Sequence, residues 1–236
     1  MKVLSLFSGI GGLDLGLERA GMTVVAQSEI DPYARRVLRK HWPDVPNLGD
    51  VKTITEADIG RLGRIGLVCG GFPCTNLSRA NTHGDRAGLD GPESGLWYEY
   101  ERIVATTRPR WVVVENVYSA WRDWMPTVRR ALYCLGYVSV CFRLHAADVG
   151  APHLGARVFV VAQAHGEGKP PRTVYEEMAR LSRSTKPRRQ DWGDASPGAL
   201  GVADGVPARM ERLRGLGNAV VPACAEWIGR AILAAP

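Results

Sequence analysis

The chain has 236 residues, 45% of them hydrophobic, with a formal net charge of +6 and 5 cysteines. This length allows one domain, or a large one with a small appendage, and supplies enough apolar residues for a core. The positive balance favours an anionic partner such as nucleic acid. An odd cysteine count without a Cys-x-x-Cys pair argues against a disulfide framework and a zinc site, and no apolar run approaches the ~20 residues that cross a bilayer.

Met1 leads straight into an apolar run with no leader pattern, so a reducing cytoplasm is expected. Residues 3–7 read as a short strand, Ser8-Gly9-Ile10-Gly11-Gly12 as a glycine-rich turn, and Leu13, Leu17 and Ala20 as one face of a helix stopped by Gly21. Strand, glycine turn and helix in that order let a Rossmann-like sheet approach a cofactor closely. Glycine also serves packing at such turns, and the spacing is not the Gly-x-Gly-x-x-Gly of a dinucleotide site. Residues 24–27 read as the second strand. Glu29 stands at its tip, where such folds hold ribose hydroxyls. Asp31 is placed to cap the next helix, with Pro32 in its first turn; both acids can instead serve that helix N-terminus. Leu48-Gly49-Asp50-Val51 reads as the end of a third strand, with Asp50 at a cofactor base edge or capping the next segment.

Residues 65–69 read as a fourth, buried strand closed by Gly70-Gly71 and stiffened by Pro73. Ligands of a parallel sheet sit beyond the carboxyl ends of its strands, which puts Cys74 where it can react. A free cysteine is otherwise a small buried hydrophobe. Residues 79–95 form a glycine-rich loop carrying Arg79, His83 and Arg86, either a lid whose basic residues meet phosphate or a solvated loop. Ser94 precedes a helix whose apolar face is Leu96, Trp97, Tyr100, Ile103 and Val104. Residues 111–114 read as the fifth strand, with Glu115-Asn116-Val117 at its end facing the same crevice as Cys74. A helix over about 121–135 stops at Gly136. Two further strands follow at 138–144 and 158–162, with His153 as a turn histidine and Arg157 as a donor to a carbonyl or phosphate. Residues 166–171 read as a linker. Arg180, Arg183, Lys186, Arg188 and Arg189 form a basic run suited to a nucleic-acid backbone, or a solvated face. Gly217-Asn218-Ala219-Val220-Val221-Pro222 leads a last helix with Ala225, Ile228 and Ile232 on one side. There is no internal repeat.

Taken together, these stretches resemble the DNA cytosine-5 methyltransferase family over residues 1–162 and 215–236. Phe7-Ser8-Gly9-Ile10-Gly11-Gly12-Leu13 is similar to its first cofactor motif, Glu29-Ile30-Asp31 to the second and Gly49-Asp50-Val51 to the third. Pro73-Cys74 resembles its nucleophile motif, Glu115-Asn116-Val117 its catalytic Glu-Asn-Val, and Gly217-Asn218-Ala219-Val220 its last motif. The resemblance implies an α/β, Rossmann-like S-adenosylmethionine-dependent methyltransferase fold with a mostly parallel sheet and a small target-recognition subdomain. Its divisions would be a catalytic domain over 1–162, a recognition region over 163–214 and a returning segment over 215–236. It implies methyl transfer to the C5 carbon of a flipped-out cytosine in a short sequence of double-stranded DNA, through a covalent cysteine adduct. Cys74 would be the nucleophile, Glu115 the group at cytosine N3 and Arg157 the contact to O2. The cofactor would lie against Phe7, Ser8, Gly9, Gly11, Gly12, Glu29 (ribose), Ile30, Asp50 (adenine amino group), Val51, Asn218 and Val220. Arg79, Arg86, Arg183, Arg188 and Arg189 would meet DNA.

S-adenosylhomocysteine would be the product, with no metal. The expected setting is a monomer in the cytoplasm of a bacterial or phage-infected cell, with a cognate restriction enzyme as a partner the resemblance allows. The chain departs from the family pattern at Thr75, where glutamine is usual, and at Gly155, where the first arginine of Gln-x-Arg-x-Arg stands. No ninth motif is found, and the recognition region is small. Two alternatives share the fold: a non-catalytic protein that binds DNA or S-adenosylmethionine, and a tRNA cytosine-5 methyltransferase. Loss of all labelling on Cys74→Ser would exclude the first, and competition between duplex DNA and tRNA the second.

Overall fold

The structure, a computed structural model, describes residues 1–73, 95–151, 153–166, 172–184 and 209–235. Its frame is a sheet of six strands: β1 (Lys2–Leu6), β2 (Thr23–Ser28), β3 (Leu67–Gly70), β4 (Trp111–Val117), β5 (Tyr137–Leu144) and β6 (Arg157–Ala164). They lie in the order β2-β1-β3-β4-β6-β5. The pairs β1/β2, β1/β3 and β3/β4 are parallel, and β6 runs antiparallel to both β4 and β5.

The central strands are apolar on both sides because helices cover both faces. Side chains alternate across a strand. On β4, Val112 and Val114 enter one core and Trp111 and Val113 the other. The first face is covered by α3 (Glu56–Leu62), α4 (Leu96–Thr107) and α5 (Trp121–Cys134). There Trp97, Tyr100 and Trp124 are fully buried, with Phe72 packed 5.9 Å from both tryptophan rings. The second face is covered by α1 (Gly12–Arg19), α6 (Arg172–Ser184) and α8 (Pro222–Ala234). The remaining helices are α2 (Pro32–His41) and α7 (Arg209–Asn218).

Helices α1 and α8 approach closely because both are small at their crossing. A Cβ on Gly16 would stand 2.5 Å from the Ala225 Cβ, and one on Gly229 would stand 2.7 Å from the Ala20 Cβ. This contact locks the end of the chain onto the first helix and so brings Val220 beside the glycine turn.

Four expectations change. The third strand is reduced to a single parallel bridge, Gln27 to Asn47. Gly49 then adopts φ +75°, which breaks the extended run, and the Asp50 carboxylate accepts from Lys52 N at 3.0 Å to start a 3₁₀ turn at Val51–Thr53. The fourth strand begins at Leu67, two residues later than expected. Strand β4 continues through Glu115, Asn116 and Val117, because β6 pairs with it down to Val117 opposite Arg157. Glu115 is therefore held on a strand rather than beyond one. Finally, α6 occupies the residues between the stretch read as a linker (166–171) and the basic run, and continues into that run as far as Ser184; its Val174 and Met178 are buried against the α8 side. Ser94 lies outside the described residues; Gly95 precedes α4 without a side-chain cap.

Candidate active site

A cleft of about 480 Å³ opens beyond the carboxyl ends of β1, β2, β3 and β4. That is the place and size expected of a cofactor site in an open parallel sheet. At its floor the backbone makes an uncommon turn. Phe7 has φ +51°, Gly9 +55° and Gly11 +86°, all in the left-handed region. The Glu29 carboxylate holds this turn: Oε2 accepts from Gly9 N at 2.7 Å, while Oε1 accepts from Ile30 N and Asp31 N, both at 2.8 Å. A carboxylate offers about four lone-pair positions, so one remains for a hydroxyl. Asp31 caps α2 by accepting from Ala34 N at 2.8 Å, with Pro32 at its start, as expected. Phe7, Ser8, Gly9, Gly12, Glu29, Ile30, Asp50, Val51, Asn218 and Val220 all line the cleft.

Gly11 does not line it. A Cβ there would strike the Trp42 ring, 2.6 Å from Cη2, so its hydrogen faces packing rather than ligand. Gly12 lines the cleft but is glycine for a packing reason as well, since a Cβ would land on the Val220 carbonyl oxygen. Of the three glycines of this turn, Gly9 alone has open space in the Cβ direction. Arg214 of α7 reaches Asp31 at 2.8 Å across the cleft mouth.

Beneath the turn lies a buried polar chain. Ser8 Oγ donates to Ser5 Oγ at 3.0 Å, Ser5 Oγ donates to Asp14 Oδ2 at 3.0 Å, and Gln27 Nε2 donates to Asp14 Oδ1 at 2.8 Å. Asp14 is fully buried, and burial raises its carboxyl to about 6 against the lowering effect of these donors. Sequence reading missed this residue. An acid in the first turn of a helix is ordinarily a solvated partner of the helix dipole.

The other end of the cleft holds Glu115, which is 6% exposed. Arg157 Nε lies 3.0 Å from its Oε1, yet the N–H is not aimed along that line, and Oε1 has no hydrogen-bond partner among the described residues. Burial raises the Glu115 carboxyl to about 7, and the Arg157 charge only partly opposes it. Arg157 is itself tethered, donating from Nη2 to the Gly217 carbonyl at 3.1 Å. Gly71 makes room for the acid: a Cβ there would land on Glu115 Oε2. Asn116 donates from Nδ2 to the Phe72 carbonyl at 3.1 Å and accepts from Val117 N at 2.8 Å. It thereby stitches the end of β3 to β4, a role the sequence reading left open.

Gly71, Phe72 and Pro73 line the cleft, and Cys74 is the next residue in the chain. Cys74 lies outside the described residues, as do Arg79, Arg86, Arg188 and Arg189; Arg183 falls on α6, and its side chain is not described. The described cysteines are poor nucleophile candidates. Burial pushes the Cys69 and Cys141 thiols up and the Cys224 thiol up to about 12, away from the thiolate that reactivity needs. Cys134 sits at the far end of α5 from the cleft.

A mostly parallel sheet with one reversed strand, and a cleft running from the glycine turn to a buried acid on the fourth strand, define the Rossmann-like methyltransferase class. Solved structures agree on the fold. A chain described as a DNA modification methyltransferase encoded within an E. coli prophage superposes with a TM-score of 0.67 at 18% identity, covering 99% of this chain and 98% of that one. The S. pombe Dnmt2 methyltransferase gives 0.65 at 20% identity, covering 87% and 65%.

Sequence comparison is more specific. Residues 1–195 match the family model for C-5 cytosine-specific DNA methylase, and the chain belongs to that family. Type II methyltransferase M2.BsuMI of Bacillus subtilis is 36% identical over 177 residues, 72% of this chain and 43% of the relative. M.AquIA of Picosynechococcus is 33% identical over 184 residues, 70% of this chain and 73% of the relative. The chain spans less than half of M2.BsuMI and of M1.HphI, where the share is 46%.

Proposed function

We propose that this chain transfers a methyl group from S-adenosylmethionine to the C5 carbon of a cytosine flipped out of duplex DNA, with Cys74 as a transient covalent nucleophile. The observation that carries the proposal is Glu115: a buried acid with an unpartnered oxygen, beside Arg157, at the point where the chain passes from Pro73 to Cys74.

The cleft suits the methyl donor. Gly9 leaves open space at the floor, Glu29 keeps an acceptor position for a ribose hydroxyl, and Ile30, 62% exposed, offers an apolar surface at the wall. When bound, S-adenosylmethionine supplies an electrophilic methyl group on a sulfonium. The chain's own residues deal with the base. C5 of cytosine is a weak nucleophile, and a target base is out of reach inside a duplex, so the base must be extruded at a cost of a few kcal/mol.

Glu115 titrating near 7 is substantially protonated at neutral pH, so it can donate to cytosine N3. Arg157 would donate to O2. The Cys74 thiolate then adds to C6: a sulfur–carbon bond forms, and the C5–C6 π pair becomes available at C5 while N3 takes the Glu115 proton. After C5 is methylated, its proton passes to a base such as water, the sulfur–C6 bond breaks with its pair returning to sulfur, the C5–C6 double bond re-forms from the C5–H pair, and N3 returns its proton to Glu115. Residues 163–214 are assigned target choice and Arg79, Arg86, Arg183, Arg188 and Arg189 the DNA backbone. Since α6 buries Val174 and Met178 under α8, recognition falls mainly to the rest of that region.

A duplex carrying 5-fluorocytosine at the target tests the adduct, because fluorine at C5 cannot leave as a proton. Incubation with S-adenosylmethionine should give a protein–DNA species that survives denaturation and is absent with Cys74→Ser. A species of equal yield with Cys74→Ser, or none with the unsubstituted protein on methylatable DNA, would overturn the covalent step.

A further inference from the structure

Just outside the cleft, two aromatic rings and two guanidiniums stack on one another. Tyr118 and Trp121 lie with ring centroids 6.5 Å apart and planes 13° from parallel. The Arg143 guanidinium sits 4.8 Å from the Tyr118 ring centre, and the Arg122 guanidinium 5.0 Å from that of Trp121. Tyr118, Arg122 and Arg143 are exposed. Among the described residues neither guanidinium has a carboxylate partner; Asp123, next to Arg122, pairs with neither.

The position of this stack follows from the sheet. Val117 lines the cleft and Tyr118 follows it. In the register of β4, β6 and β5, Val117, Arg157 and Leu144 stand in one row, and Arg143 is one residue from Leu144. With strands ~4.8 Å apart, the stack begins about two strands or less from the backbone that carries Arg157.

With no acid paired to them among the described residues, these two exposed arginines are oriented by the rings they stack on. Stacking on a ring orders a guanidinium and uses its face, while the five N–H donors in its plane stay free. Those donors fit the oxygens of a phosphate in a two-pronged contact. The ring faces are already engaged by guanidinium or by each other, which disfavours an unpaired base as the occupant. We infer that Arg122 and Arg143, braced on Trp121 and Tyr118, grip the phosphodiester backbone of the DNA strand beside the reacting base.

This inference rests on the DNA methyltransferase reading and names a contact surface for its substrate. Arg143 could not be found from the sequence, where it is a lone basic residue on an edge strand. It becomes a partner of Tyr118 only because β6 inserts between β4 and β5.

The test is the salt dependence of binding to a short duplex without a target site, in the presence of S-adenosylhomocysteine, using the full chain. Each neutralised phosphate contributes about −0.9 to the slope of log K against log salt. The double variant Arg122→Gln/Arg143→Gln should lose roughly two such units, with S-adenosylhomocysteine affinity unchanged. Arg122→Lys/Arg143→Lys should restore most of the slope. An unchanged slope in the glutamine pair, with a normal slope in the parent protein, overturns this surface and leaves the enzyme reading intact. Failure of the lysine pair to restore the slope overturns it too, because the loss would then not be one of charge. A parent protein with no salt-dependent duplex binding overturns the DNA reading itself and this surface with it.

Discussion

The two ends of the cleft are built on opposite principles. At the cofactor end the Glu29 and Asp14 carboxylates are each held by several donors. Glu29 accepts from three backbone N–H groups, and Asp14 from Ser5 and Gln27. Glycines there allow close contact between α1 and α8 or open the turn. At the base end Glu115 is buried too, but it has one misaligned cation and, among the described residues, an oxygen with no hydrogen-bond partner. Burial raises both acids, Asp14 to about 6 and Glu115 to about 7, and the difference lies in what surrounds them. Donors around Asp14 make a rigid support. Around Glu115 no described group donates to Oε1, and in the proposed mechanism the edge of the cytosine meets that demand.

The comparison is broken most severely at Glu115. Glu115→Gln should slow methyl transfer by about 10²–10⁴-fold while cofactor affinity changes little, because the proton relay acts on the base. Single-turnover rates and cofactor titration check both halves. In the proposed mechanism the active form is the protonated acid, so the Glu115 contribution should be lost as pH rises through about 7, and that limb should vanish in the glutamine variant.

Gly71→Ala should come next. The added methyl lands on Glu115 Oε2, so the acid must move. A fall in transfer of at least tenfold is expected, with a stability loss of about 1–3 kcal/mol. Turnover and urea unfolding measure the two separately.

The opposite end responds to Gly229→Ala, which pushes α8 off Ala20. We expect a loss of about 1–3 kcal/mol on unfolding and weaker cofactor binding, with little change in transfer once the cofactor is saturating.

The smallest effect is expected of Asp14→Asn, which keeps the shape. Asp14 keeps its proton to higher pH when folded than when unfolded. Between its ordinary 3.8 and about 6 the unfolded chain therefore binds fewer protons, and this group's contribution to stability falls as pH rises through that window. The asparagine variant should flatten the stability profile there without abolishing activity. An unaltered profile would show that Asp14 is not the titrating group.

Much of this could be read from the chain. The apolar runs marked the strands, and the glycine turn, Glu29, Pro73, Glu115-Asn116-Val117 and Asn218-Ala219-Val220 marked the cleft. What escaped depended on long-range pairing. Glu115 was read just beyond the fifth strand rather than on it, because its place on β4 is set by pairing with β6, more than forty residues on. The third strand failed because Gly49 turns where an extended residue was expected. Helix α6 was hidden by a linker composition and a basic run, although Val174 and Met178 at i and i+4 carried a faint helical signal. Asp14 could not be told from a solvated helix acid until Ser5 and Gln27 closed over it.

The most direct measurement is incubation of the purified chain with S-adenosylmethionine and unmethylated duplex DNA, followed by base-resolution sequencing for 5-methylcytosine. Methylation confined to one short motif, and absent with Glu115→Gln, is the expected result. Intact cofactor binding with no 5-methylcytosine in any duplex sequence would contradict it.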